Sequence, residues 1–148
     1  MRFRRCKKIL STQYSVRDLD AYDLSGNALH MIFKATKLAR LLYASPSWWG
    51  FATGQHKDRL EAILRKARKA DFLPKDFPDI TELCEMADAR FFKAVTSNPG
   101  HVLYHLLPEV KTTSMTLRKR SHSFVLPEKS TKLDESNFIC RMLYRNVY

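Results

Sequence analysis

Residues 41–74 read LLYASPSWWGFATGQHKDRLEAILRKARKADFLP, and the second half of that stretch decides the fold class. From about Gln55 to Lys69 the apolar residues Leu60, Ile63, Leu64 and Ala67 recur at three- and four-residue intervals, which puts them on one face of an α-helix. Lys57, Arg65, Lys66, Arg68 and Lys69 fall on the other faces, open to solvent or to a ligand. Glu61 stands four residues before Arg65, a pairing that contributes only about 0.3 kcal/mol. The first half is a turn. Pro46 biases Ser45 toward extended backbone, so a helix arriving from upstream breaks or bends near Ala44 and Ser45. A tight turn then carries Trp48, Trp49 and Phe51.

Helical periodicity continues on both sides. Residues 13–22 favour a helix, and Ser25 suits an N-cap leading into Ala28, Leu29, Ile32 and Phe33, a face that runs on through Leu38, Ala39, Leu42 and Tyr43. Downstream, Asp79 with Glu82 resembles a capping box, and Ile80, Leu83, Ala87 and Phe91 continue that helix's apolar stripe. Asn98, Pro99 and Gly100 stop it, and Pro99 can open a short helix through Leu103, Leu106 and Leu107 up to Pro108. Residues 109–135 are rich in Thr, Ser, Lys and Glu without a sustained period, so they are expected to be extended or disordered. Phe138, Ile139, Met142 and Leu143 make one more short helix that needs a partner surface.

The expected fold is therefore all-α: a small helical bundle with a largely irregular basic C-terminal tail and a terminal helix. Its parts would be a basic N-terminal segment (1–12), a helical domain (13–108), a flexible linker (109–136) and the terminal helix (137–148). Expected core residues are Leu29, Ile32, Phe33, Leu42, Trp48, Leu60, Leu64, Leu83 and Phe91.

The net charge of +11 is unevenly distributed. Nine basic residues face three acidic ones in 1–40, nine face eight in 41–107, and eight face four in 108–148. Such basic ends favour phosphate backbones, whose neutralisation releases counterions, although any single cluster serves equally well as solubility charge. No segment has the ~18 to 20 apolar residues of a membrane-spanning helix, so no membrane partner is expected. Cys6, Cys84 and Cys140 are too few and too widely spaced for a disulfide framework or a Cys-x-x-Cys metal half-site, which points to reduced thiols in an intracellular, nuclear or cytoplasmic protein. Residues 1–10 are basic but no apolar core or cleavage site follows, so no signal peptide is expected. His101 and His105 have the spacing of a zinc-protease pair but lack its glutamate and a third ligand, so packing is the expected role. Trp48 and Trp49 could stack on bases or anchor the core, and the core is favoured for at least one.

Several of these segments carry a family signature. Tyr43-Ala44-x-Pro46-x-Trp48-Trp49-Gly50-Phe51, followed by Asp58-Arg59-Leu60-Glu61, closely resembles the region just downstream of the polymerase core in reverse transcriptases of non-LTR (LINE-like, jockey-like) retrotransposons. Residues 13–24, 28–43, 88–108, 117–127 and 137–148 resemble neighbouring segments of the same polyproteins in the same order, so the resemblance covers most of the chain from about Thr12. In the tail, Leu117, Arg118, Arg120 and His122 follow a Leu-Arg-x-Arg-x-His pattern, with Met115 where an aromatic is commoner.

The resemblance implies a thumb-like region of an RNA-directed DNA polymerase that grips RNA or DNA without sequence preference. The cations expected to do so are Lys57, Arg65, Lys66, Arg68 and Lys69 on the helix and Arg118, Lys119 and Arg120 in the tail. A second expected partner is the polymerase core itself. Catalysis is not implied, because the family's polymerisation uses paired aspartates on two metal ions and this chain has no Asp-Asp pair. No cofactor and no metal is expected. The competing readings are a helical protein-interaction module and a degenerate relic without selected function.

Overall fold

The computed structural model describes residues 25–111 and 122–145. The expected basic segment 1–12, the helix at 13–22, Cys6 and the Arg118, Lys119, Arg120 cluster lie outside the described residues. What is described is mostly helical, and its only extended pairing is a single antiparallel bridge between Val110 and Phe124. The elements are α1 (Gly26–Phe33), a π-helical turn (Lys34–Leu38), α2 (Ala39–Leu42), α3 (Ser45–Trp48), α4 (Gly54–Lys69), α5 (Ile80–Ser97), α6 (Lys132–Ser136) and α7 (Phe138–Tyr144). Short 3-10 turns cover Trp49–Phe51 and Tyr104–Leu106. The residues fall into two compact units: unit 1 is Met1–Tyr43 with Gln55–Ile80, and unit 2 is Ala44–Gly54 with Thr81–Tyr148.

In unit 1, Leu29, Phe33, Leu60, Ile63, Leu64, Ala67, Phe72 and Leu73 are buried. Phe33 and Phe72 stack with ring centroids 6.1 Å apart. The π turn changes the upstream helix in a way that periodicity alone does not foresee. Thr36 Oγ1 donates to the Ile32 carbonyl at 2.7 Å within this turn. The inward line then runs through Lys37, Leu38 and Leu41, while Ala39 and Tyr43 are exposed and Leu42 is half-buried. Leu42 therefore gives its expected core place to Leu41, and Ile32 is likewise half-buried.

α2 ends at the expected break, but through Ala44 rather than Ser45. Ala44 adopts the left-handed conformation (φ 51°), and Ser45, expected to be extended before Pro46, is instead the first residue of α3, with Pro46 in its first turn. At the end of α4 the Phe72 amide donates to Ala67 O at 3.0 Å and the Asp71 amide to Arg68 O at 3.3 Å, the paired bonds of a Schellman cap. Its left-handed residue is Asp71 (φ 54°), where glycine is the usual occupant. His30 Nε2 donates to the Asp71 carbonyl at 3.1 Å, adding a tie from α1.

In unit 2 the tryptophan turn meets the C-terminal helices. Trp49 is buried and Trp48 half-buried, with the rings edge to face at 5.9 Å. The expected core role thus belongs chiefly to Trp49 rather than Trp48. Gly50 is required sterically, because a Cβ there would collide with the Ser136 carbonyl oxygen and lie 2.7 Å from Arg141 Nε. Arg141 Nη1 binds the buried Asp88 carboxylate at 2.6 Å, and its Nη2 donates to Pro46 O at 3.3 Å. Leu83 and Phe91, expected in the core, are half-buried, whereas Cys84, Val95 and Leu143 are wholly enclosed.

Residues 122–136 are more ordered than their composition suggests. α6 opens with a complete capping box: Thr131 Oγ1 accepts from the Asp134 amide while the Asp134 carboxylate accepts from the Thr131 amide and hydroxyl. Tyr144 Oη donates to Pro127 O at 2.5 Å, with Lys129 Nζ 3.7 Å from the centre of the Tyr144 ring. His122 Nε2 donates to Leu143 O at 2.7 Å, taking up a carbonyl in the last turn of α7. The expected helix after Pro99 shrinks to the 3-10 turn at Tyr104–Leu106. Among the described residues no helix is long and apolar enough to cross a membrane.

Candidate nucleic-acid interface

The basic helix α4 is the only element on which sequence periodicity placed a cation cluster inside the described residues. Its buried face is Leu60, Ile63, Leu64 and Ala67, as the spacing requires. At 3.6 residues per turn, Arg65, Lys66 and Lys69 lie within about 100° of one another on the opposite face. All three are exposed, as is Arg59 on the same side. The last turn of the helix contains Lys66, Arg68 and Lys69, where cations also offset the negative end of the helix dipole.

Arg68 does not belong to this stripe. Its Nη1 lies 3.0 Å from Glu61 Oε1 and its Nη2 donates to Pro78 O at 3.1 Å. The other oxygen of Glu61 accepts the Ile80 amide at 2.9 Å. One carboxylate and one guanidinium therefore tie α4 to the chain at 78–80, all within unit 1. The expected Glu61–Arg65 pair is replaced by Glu61–Arg68, seven residues or two turns apart, which leaves Arg65 open. Bidentate guanidinium geometry explains the exchange: Arg68 satisfies a carboxylate and a backbone carbonyl together. Lys57 is half-buried and already has an interaction partner, so it is a weaker ligand candidate than its position suggested.

A second unusual cation lies on the π turn. Lys37 is 2% exposed, and its pKa is pushed below the ordinary 10.5, first by burial and then by the nearby Arg40 charge. Because the folded value is the lower one, unfolding takes up a proton between the two values, and this lysine's contribution to stability rises as pH climbs through that window. Position 37 stands four residues after Phe33 and eight after Leu29, so it shares their buried face, and a lysine there is the exception to that face's apolar character.

His101 packs edge to face on Phe91 at 5.6 Å and accepts the Leu103 amide on Nδ1, while His105 is exposed. No group of three or more His, Cys, Asp or Glu side chains that could hold a metal occurs among the described residues. Cys84 and Cys140 form no disulfide among the described residues.

Comparison with known proteins adds no identification. The chain matches no protein-family model, and no curated protein and no solved structure is significantly similar to it.

Proposed function

We propose that this chain is a non-catalytic, thumb-like region of a non-LTR retrotransposon reverse transcriptase that holds RNA or DNA through the exposed stripe of α4. The family reading rests on the Tyr43 to Phe51 signature and the ordered segments around it. The binding reading rests on one observation: Arg65, Lys66 and Lys69 are exposed together on the face opposite a fully buried apolar stripe. Cations so placed meet phosphates without requiring the helix to give up packing. Recognition of this kind is sequence-tolerant, because phosphate contacts position a duplex without reading its bases.

The test is binding of the full chain to structured RNA and to duplex DNA across a salt series. Charge reversal at Arg65, Lys66 and Lys69 should weaken binding and flatten the dependence of log affinity on log salt by ~0.9 for each duplex phosphate that is no longer neutralised. Affinity and slope that do not change would remove the stripe from the interface.

A further inference from the structure

Unit 2 holds a cavity of about 650 Å³, a size typical of sites for small organic groups. Its walls include Phe92 and Lys93 from α5, His122 and Phe124 beside the antiparallel bridge, and Met142 and Arg145 from α7 and its end. Three of these are aromatic rings set at angles to one another. His122 lies 6.2 Å from Phe92 with planes 70° apart, and 5.6 Å from Phe124 with planes 36° apart. His122 is fixed in place, since its Nε2 donates to Leu143 O and its Nδ1 accepts the Phe124 amide at 3.2 Å. Both ring nitrogens are thereby engaged by backbone groups, which holds the ring as a wall of the cavity.

Lys93 and Arg145 line the cavity, and among the described residues no aspartate or glutamate does. Arg145 is bound to Glu85 at 2.9 Å, whereas Lys93 is exposed and makes no ion pair among the described residues. Apolar ring faces with cations and no acid at the wall complement a flat, weakly polar body that carries an anion. We infer that the cavity receives one unpaired nucleotide of single-stranded RNA or DNA, its base packed against Phe92, His122 and Phe124 and its phosphate met by Lys93. The inference rests on the proposed function only for the class of ligand. The residues are different, and a duplex, whose bases stay stacked on each other, is excluded.

The test uses the full chain with fluorescein-labelled oligouridylate and a labelled duplex of equal length. Phe124→Leu should weaken the single strand about tenfold and leave the duplex unchanged, because stacking on one ring carries most of that discrimination. Lys93→Ser, at an exposed position, should weaken the single strand without altering the unfolding midpoint. Photo-crosslinking with 5-iodouracil in the oligonucleotide should label the cavity rings, and label found only on α4 would overturn the proposal. So would equal losses on both probes in the Phe124 variant. If the unmodified chain binds neither probe, the proposed function falls as well. If charge reversal on α4 abolishes duplex binding while the cavity variants lose nothing, only the cavity proposal falls.

Discussion

Unit 1 and unit 2 are held together by different kinds of interaction. Unit 1 is organised by a helix whose buried face repeats every three to four residues, and its polar tie, Glu61 to Arg68, spans only seven positions. Unit 2 depends on polar bonds between residues far apart in the chain: Arg141 reaches Asp88 across 53 positions and Pro46 across 95. Local periodic order tolerates removal of one side chain, because the remaining apolar burial still specifies the helix. A buried ion pair tolerates it poorly, since the surviving charge stays desolvated without compensation. In both units the guanidiniums that fix the fold, Arg68 in unit 1 and Arg141 in unit 2, are bound to carboxylates and are distinct from exposed cations such as Arg65 and Lys93.

The largest effect should come from Asp88→Ala or Arg141→Ala, each costing about 3–5 kcal/mol of stability by chemical denaturation. A paired Asp88→Leu, Arg141→Met variant should recover much of that loss, and failure to recover would mean that geometry rather than charge holds unit 2. Gly50→Ala should cost roughly 1–3 kcal/mol, because its Cβ meets backbone rather than a movable side chain. In unit 1, Glu61→Gln should cost about 1–2 kcal/mol, measurably less than the Asp88 change, as it weakens charge-assisted bonds at a partly exposed site. Asp71→Gly should stabilise by about 0.5–1 kcal/mol, since the left-handed residue of the cap loses its steric strain. Equal costs at Asp88 and Glu61 would erase the contrast between the units.

The smallest effect is a pH dependence in the cap of α6. Hydrogen bonds from Thr131, through its hydroxyl and then its amide, and from Ser130 hold the Asp134 carboxyl below its usual 3.8. A depressed carboxylate stabilises the fold above the unfolded value and loses that contribution as pH falls through the folded one. The Thr131 amide resonance should therefore shift in step with Asp134 protonation, at a midpoint below 3.8. A midpoint at or above 3.8 would show that the capping box does not form in solution.

How much of this was legible in the sequence follows from the same division. The all-α class, the buried face of α4, the break at Ala44 and the start of α5 after Asp79 are local patterns, and periodicity with capping chemistry specifies them. The place of Leu41 rather than Leu42 in the core follows a π turn at Lys34–Leu38, which adds a residue to the helix and which no capping or turn residue in the sequence announces. Arg68 read as a free cation because Glu61, two turns earlier on the same helix, is expected to pair with Arg65, and because the Pro78 carbonyl is brought to Arg68 only by the turn at 70–78. Order in residues 122–136 was hidden for a related reason. Its apolar content is low, and its anchors are hydrogen bonds to Leu143, Pro127 and a capping box rather than a repeating stripe. Thr131 with Asp134 three residues later was the one local signal, close to the usual box with aspartate in place of glutamate.

The central claim is that the cations of α4 divide into a structural clamp, Arg68, and a ligand-facing stripe, Arg65, Lys66 and Lys69. The most direct measurement compares the salt slope of duplex binding and the unfolding midpoint for two variants, Arg68→Gln and Arg65→Glu with Lys66→Glu and Lys69→Glu. The account predicts that Arg68→Gln lowers the midpoint and keeps the slope, while the triple variant flattens the slope by roughly 2–3 and lowers the midpoint only through the lost helix-end interaction of Lys66 and Lys69. A flattened slope in Arg68→Gln, or an unchanged one in the triple variant, would contradict it.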